Sequence, residues 1–500
     1  MRRYPLRAAC VLGMAAACCL HAASLAERID HLLETTPAAA AAFWGIQVVD
    51  LETGKTMYEQ NPRRFFVPAS NTKLLTTALA LARLGPDYTF VTRVMAGGPP
   101  DREGRIAGPL RLIGGGDPNL SARAVPYQTG AVHGNPLAAI EELAGQVAAR
   151  GVKRIAGDIV GDDTWYLWQP YAAGWGIEDP KSDDGPPVSA LAIADNALTL
   201  NVQPATREGD LAVLALEPPL EYYRLDNRVR TVAAGGERRI HFDRVPGSLD
   251  ARLWGTIPLR DRGQDLLLGI EDPARYAAEA FRQALENLGI TVEGSAAALH
   301  QFPDQVPDLL QAPPGAPPPG VELARRVSAP LLEDLRITAK VSQNLHAELD
   351  LRAVGRARRN IGSFEAGLEE LKAFLSEAGV EPEAYNIRDG SGLARLNLVT
   401  PAAIVKLLRF QYASPMRDNW ISLLPVGGRD GTLSTRFAET PAAGRVHAKT
   451  GSLSHVSALS GYIQRLNGDW VAFSILVNNY NNRTPDIRSV MDRICNLIVE

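Results

Sequence analysis

Apolar residues recur at helical spacing over Leu74, Leu75, Ala78, Leu81 and Ala82, and Gly85 and Pro86 stop the run. This predicts a helix that opens close to Ser70. The same period predicts helices over Leu25 to Leu33 and Pro485 to Val499, the latter with Ile487, Val490, Met491, Ile494 and Ile498 on its apolar side. Alternation replaces it at Gly45 to Val49, Lys55 to Tyr58, Val456 to Ile463 and Trp470 to Val477, which read as strands of one antiparallel sheet. Asn467-Gly468 joins the last two and predicts a tight hairpin, since such a pair tolerates positive backbone angles. Both ends of the chain therefore belong to one domain, with the first and last helices flanking its sheet.

The middle of the chain is patterned differently. From about Thr92 to Gly320, short strands such as Leu110 to Ile113 and Leu211 to Leu216 mix with helices at Leu137 to Ala149 and Ala274 to Leu288. The stretch ends in Ala312-Pro313-Pro314-Gly315-Ala316-Pro317-Pro318-Pro319-Gly320, an extended linker by composition. We read residues 92–320 as an inserted mixed α/β region, in two small domains, carried by a domain built from 24–91 and 321–500. The length fits, because about 475 residues exceed what one core usually serves.

Residues 1–23 read as an export signal. Arg2, Arg3 and Arg7 precede an apolar run from Ala8 to Leu20, too short to span a bilayer, and the first acidic residue is Glu27. Cleavage is expected near Ala22 or Ala23. Ala15-Ala16-Ala17-Cys18 lacks the large aliphatic first position of a lipoprotein box. Cys10, Cys18 and Cys19 leave with the signal, so Cys495 is the one thiol of the mature chain, and no internal disulfide can form. Loss of the three arginines makes a formal charge of −4 more negative, which argues against a nucleic-acid surface.

Ser70-Asn71-Thr72-Lys73 carries the chemistry. A Ser and a Lys three apart on a helix are neighbours, so the amine can reach the hydroxyl and activate it. At a helix N-terminus the unpaired N–H groups favour a developing oxyanion, which suits acyl transfer. A capping serine beside a solvated lysine would look the same locally. Yet only eight of the 52 basic residues are lysines, so chance matches to Lys-dependent motifs are rare here. Two further elements follow in order: Ser342-Gln343-Asn344 and Lys449-Thr450-Gly451-Ser452, the latter opening an alternating segment.

The ordered trio Ser-x-x-Lys, Ser-x-Asn, Lys-Thr-Gly resembles the signature of the active-site-serine penicillin-recognising enzymes. The 271 residues between Ser70 and Ser342 exceed what a single-domain β-lactamase holds there. Gly114-Gly115-Gly116-Asp117-Pro118, Gly161-Asp162-Asp163-Thr164-Trp165-Tyr166, Pro187-Val188-Ser189-Ala190-Leu191, Asp389-Gly390-Ser391-Gly392-Leu393 and Asp430-Gly431-Thr432-Leu433 accompany it. Together these resemble the class C low-molecular-mass penicillin-binding proteins, the D-alanyl-D-alanine carboxypeptidase/endopeptidase family. The resemblance implies an α+β fold: a penicillin-binding transpeptidase-like domain, its antiparallel sheet flanked by helices and joined to a helical subdomain, carrying the large insertion.

The resemblance also implies roles. Ser70 is the expected nucleophile on a D-Ala-D-Ala carbonyl and Lys73 its base, with burial and a nearby Lys449 ammonium both lowering the Lys73 pKa. Ser342 relays a proton to the leaving amine, and Asn344 orients the substrate amide and Lys73. Gln343 is a less familiar middle residue and is expected to do no chemistry. Lys449 and Thr450 hold the terminal carboxylate, and Gly451 leaves room for the substrate to add as a strand. The N–H groups of Ser452 and Ser70 form the oxyanion hole. Asp163 and the aromatic Tyr166 are the expected contacts to a free amino group on the stem-peptide side chain.

No metal or organic cofactor is implied; His346, Glu348 and Asp350 lack a zinc spacing. The implied partners are peptidoglycan stem peptides, with β-lactam antibiotics as covalent inhibitors, and the implied location is the periplasm. Peripheral association with the membrane, oligomeric state and the balance of carboxypeptidase and endopeptidase action stay open. A β-lactamase or esterase on the same scaffold would require rapid antibiotic turnover. A catalytically silent wall-binding protein would require a broken trio.

Overall fold

The protein is described by a computed structural model that covers residues 23–130, 134–315 and 318–500; the expected signal segment lies outside the described residues up to position 22. A five-stranded sheet takes strands from both ends of the chain, in the order Val446–Leu453, Val456–Gln464, Trp470–Asn478, Phe43–Asp50 and Thr56–Gln60. Every neighbouring pair is antiparallel. The third strand is buried along nearly its whole length because helices cover both faces. Successive residues point to opposite sides. Ile475 and Phe473 meet Ile29, Met491 and Ile494 of the flanking helices Leu25–Thr35 and Thr484–Val499, while Leu476 and Ala472 meet Leu75, Ile404 and Leu408 of the helical subdomain.

The hairpin after Gln464 is tight, as its Asn-Gly pair predicts. Arg465 N donates to the Asp469 carbonyl (2.8 Å) and Gly468 N to the Arg465 carbonyl (3.0 Å), and of the Asn-Gly pair only Gly468 takes a positive φ, of 98°. The Asn467 side chain adds a bond to Asp469 (2.6 Å).

The nucleophile helix, Thr72–Leu84, ends at Gly85 with φ 83°, a backbone conformation glycine adopts without a Cβ clash. It runs through the helical subdomain against the helices Leu331–Lys340, Asn344–Arg359 and Phe364–Glu377. That packing fixes the first two motifs relative to each other, and the edge strand Val446–Leu453 brings the third. No described helix is long and apolar enough to cross a membrane.

Between Val91 and Val327 lies a mixed five-stranded sheet, ordered Ala296–Gln301, Ile159–Leu167, Leu110–Ile113, Val91–Ala96 and Val321–Val327. Its first three strands run parallel, and the helices Ala138–Ala149 and Pro273–Asn287 cover it. Two three-stranded sheets, formed within residues 197–269, extend it outward and share one apolar cluster with it. The expected strand Leu211 to Leu216 appears as Val213–Glu217. From Trp168 to Val188 the chain leaves regular structure almost entirely and returns to the helical subdomain, where Trp175 Nε1 donates to Asp389 Oδ2 (3.0 Å).

Candidate active site

Ser70 sits in a 3-10 turn, Ala69–Asn71, that leads into the helix opening at Thr72. Ala69 is held at φ 48°, a conformation that costs a non-glycine residue about 1–3 kcal/mol and persists only where neighbours enforce it. Gly392, itself at φ 86°, lets the Ala69 carbonyl come close where any Cβ would collide. Ser342, which opens the second motif, also lies in the left-handed region, with φ 66°.

Lys73 is fully buried and gathers the site. Its Nζ donates to Asn344 Oδ1 (2.6 Å), to the Ser391 carbonyl (2.7 Å) and to Ser70 Oγ (3.0 Å). The Ser391 carbonyl can only accept. Asn344 Nδ2 donates to the Asp184 carbonyl (2.7 Å), which fixes the amide so that its oxygen faces Lys73. Two N–H bonds are thereby assigned, and the remaining position on nitrogen faces Ser70. In the neutral amine that position is a lone pair aimed at the hydroxyl. Burial pulls the Lys73 pKa down to about 7, against the opposing pull of Asp389, Glu348 and Asp184.

Lys449 is also buried. Its Nζ donates to Ser342 Oγ (2.8 Å) and to the Thr450 carbonyl (2.9 Å), while Asn71 Nδ2 donates to the Lys449 carbonyl (2.9 Å) and ties the first motif to the third. Burial first, and the Lys73 ammonium second, push Lys449 well below the usual lysine range. Burial dominates at Lys73 and the nearby carboxylates oppose it, while the repulsion between the two amines is expressed at Lys449.

A cleft of about 670 Å³ opens over Ser70, Ser342, Asn344, Thr450, Gly451 and Ser452. Glycine at position 451 also has a reason within the fold. A Cβ there would lie 2.9 Å from the Pro68 carbonyl oxygen and 3.0 Å from Ser70 N, so the missing side chain lets the edge strand approach the turn carrying the nucleophile. Gln343 is the N-cap of the helix Asn344–Arg359, its side chain accepting from Leu345 N (2.7 Å). Thr450 Oγ1 donates to Thr432 Oγ1 (2.8 Å), which brings the Asp430-Gly431-Thr432-Leu433 segment to the cleft wall.

Asp163 and Tyr166 do not reach the cleft. Asp163 accepts from Ser189 Oγ (2.8 Å) and pairs with His300 Nδ1 (2.9 Å); burial raises its pKa. Tyr166 is buried against Gly116 and Gly362. Both lie on the strand Ile159–Leu167, where Asp163 is satisfied by Ser189 and His300 and Tyr166 packs into the apolar cluster of the helical subdomain. The acidic groups at the cleft are instead Asp179 and Asp184, from the irregular Trp168 to Val188 segment. The cluster Glu178, Asp179, Asp183 and Asp184 among glycines and prolines was the available signal.

Two cations were also unforeseen. Arg436 lines the cleft but pairs with Asp492. Arg488, on the last helix, donates from Nη2 to Ser452 Oγ (2.8 Å) and has no carboxylate within 4 Å among the described residues. His447 does not line the cleft; it lies beside Trp470, with ring centroids 5.4 Å apart. Cys495 is buried among the terminal-helix side chains.

Comparison with known proteins identifies the family. Residues 25–497 match the D-Ala-D-Ala carboxypeptidase 3 (S13) family. A D-alanyl-D-alanine carboxypeptidase of Actinomadura sp. (strain R39) is 36% identical over 472 residues, covering 92% of this chain and 82% of that protein. The D-alanyl-D-alanine carboxypeptidase DacB of Haemophilus influenzae is 25% identical, covering 90% and 88%. The crystal structure of penicillin binding protein 4 (dacB) from Haemophilus influenzae superposes with a TM-score of 0.80 at 23% identity, covering 94% of this chain and 99% of that one, and shares the fold. The chain belongs to the D-Ala-D-Ala carboxypeptidase 3 (S13) family and is a serine-type D-Ala-D-Ala carboxypeptidase.

Proposed function

We propose that the protein trims D-Ala from peptidoglycan stem peptides in the cell envelope and also cleaves peptide cross-links, through an acyl-enzyme on Ser70, and that β-lactams acylate the same oxygen. The observation that carries this is the Lys73 amine, buried, near pKa 7, with its one unassigned position facing Ser70 Oγ. Neutral Lys73 takes the Ser70 proton as the oxygen attacks the D-Ala carbonyl. The tetrahedral oxyanion is held by the N–H groups of Ser70 and Ser452. As the C–N bond breaks, Ser342 gives its proton to the leaving amine and is reprotonated by the proton that Lys73 took from Ser70, which leaves Lys73 neutral again, with Lys449 behind Ser342. Water then attacks the ester, its proton passing to Lys73 and from there to Ser70 Oγ as the acyl–oxygen bond breaks and the shortened peptide leaves.

Thr450 and Lys449 receive the terminal carboxylate, with Arg488 as an added anchor beside Ser452. Asp179 takes the role expected of Asp163, contact with a free amino group of the stem peptide, because it lines the cleft. We further propose a division into a signal segment (1–23), a peptidase domain (24–91 and 321–500) and an inserted region (92–320), with export to the periplasm. β-Lactam binding has a parallel in the Haemophilus influenzae penicillin binding protein 4, crystallised in complex with a β-lactam.

The test is to incubate the mature protein with a muropeptide ending in D-Ala-D-Ala and with a cross-linked dimer, following products by mass spectrometry. Release of D-Ala and scission of the dimer are expected, both lost in Ser70→Ala. No D-Ala release, with Ser70→Ala indistinguishable from wild type, would refute the reading; trimming of the monomer alone would refute its endopeptidase part.

A further inference from the structure

A second groove, of about 1090 Å³, lies on the outer sheet of the inserted region. Its central strand, Asp250–Pro258, runs parallel to Arg224–Val232 and antiparallel to Arg239–Arg244. Strand alternation turns Ala251 and Leu253 into the core and leaves Arg252 and Trp254 outside. Register aligns Arg228, Trp254 and His241 in one row across the outer face, and Asp226, Arg252 and Asp243 in the next. Trp254 is 41% exposed, and its ring stacks on His241 with centroids 5.3 Å apart and planes 20° from parallel. Beside this plate, Asp226 accepts from Arg252 Nε (2.9 Å) and from Arg228 Nε (3.0 Å).

We propose that this face binds the glycan strand of peptidoglycan, an inference that rests on peptidoglycan being the substrate. A sugar ring presents an apolar C–H face that covers an aromatic plate, and a rim of hydroxyls that both donate and accept. The face supplies both halves: an exposed indole, and arginines and aspartates already held in place by one another. A polyanion would call for unpaired cations, whereas here Arg252 and Arg228 are matched by Asp226. A protein partner would call for an apolar centre larger than one stacked pair.

One short segment touches both the groove and the catalytic cleft. Asp243, which lines the groove, accepts from Lys181 Nζ (2.6 Å), and Arg244 donates to the Pro180 carbonyl (2.9 Å). Asp179 and Asp184, from the same short segment, line the cleft over Ser70. Asp179 and Lys181 are two residues apart, so about 7 Å of chain at most separates their Cα atoms. A five-residue stem peptide, extended, spans about 17 Å. A strand seated in the groove thus sits beside the wall over which its stem peptide enters the cleft.

The test uses Ser70→Ala protein, so that nothing is hydrolysed, and glycan strands stripped of their peptides, with binding read by co-sedimentation. Saturable binding is expected, weakened at least tenfold by adding Trp254→Ala and partly retained with Trp254→Phe, at unchanged melting temperature. In protein that keeps Ser70, Trp254→Ala is expected to slow D-Ala release from intact peptidoglycan while leaving kcat/KM on a soluble pentapeptide within twofold. Equal glycan binding with and without the Trp254→Ala substitution would overturn the proposal. So would binding of poly-glutamate without binding of stripped glycan, or no saturable binding at all. Failure of the peptidase reading would be seen separately, as no cleavage of the soluble pentapeptide.

Discussion

Gly451→Ala isolates the oxyanion hole from the base. The added methyl would lie 2.9 Å from the Pro68 oxygen, 3.0 Å from Ser70 N and 3.2 Å from Ala458 Cβ. The first two are backbone atoms, so relief requires the edge strand and the Ser70 turn to separate by a few tenths of an ångström. Both proposed oxyanion donors, Ser70 N–H and Ser452 N–H, sit on those two segments. Misplacing one donor typically costs about 10²–10³ in rate, or roughly 2.7–4 kcal/mol, and overpacking a tight contact costs about 1–3 kcal/mol of stability. Acylation by a fluorescent penicillin, followed on gels or by stopped flow, is therefore expected to fall about a hundredfold. The melting temperature should fall modestly. The pH midpoint of acylation should not move, because Lys73 keeps all three partners. A second change, Ala458→Gly, relieves only the 3.2 Å contact and should not restore the rate. Acylation within threefold of wild type at an unchanged melting temperature would refute the assignment of this contact to the oxyanion hole.

Arg488→Ala removes a cleft cation without a carboxylate partner among the described residues. Loss of one charge-assisted hydrogen bond, about 1.5–3 kcal/mol, should raise KM for D-Ala-D-Ala peptides roughly tenfold or more with little change in kcat, as steady-state kinetics would show. Asp179→Asn should lower kcat/KM for stem peptides bearing a free side-chain amine and spare those with the amine acetylated, measured by D-Ala release. His346, fully buried between Asp334 (2.7 Å) and Asp195 (3.3 Å), has its pKa lifted to about 9: burial opposes its charge, and the two carboxylates outweigh burial. Its folded pKa lies above the ordinary value of about 6.5, so its stabilisation is complete below pH 6.5 and is lost as pH rises through 9. Denaturant titrations should show His346→Asn narrowing the stability gap to wild type across that window, by on the order of 3 kcal/mol.

The three motifs were legible because each is local: a helical turn, a helix cap and an alternating edge strand impose their own spacing. The central sheet was legible for the same reason, down to the Asn467-Gly468 turn, where Gly468 supplies the positive φ. Asp163 was expected at the cleft on the family resemblance alone. Ser189 and His300, respectively 26 and 137 positions away, satisfy it inside the fold. Asp179 and Asp184 went unassigned because their segment has no periodicity to orient it. The electrostatics of Lys73 depend on how completely the helices exclude water, which no local pattern encodes. The parallel pairing within the inserted region was equally hidden, since buried parallel strands lack the alternation that marks a half-exposed one.

The account turns on a neutral Lys73 serving as base for Ser70. The most direct measurement is the second-order rate constant for acylation by one β-lactam between about pH 5 and 9. With the Lys73 pKa near 7, the constant should rise about tenfold per pH unit below 7 and level off above it, and Lys73→Arg, which stays charged throughout, should lose the reaction at every pH. A flat profile across that range, or Lys73→Arg acylating at the wild-type rate, would contradict it.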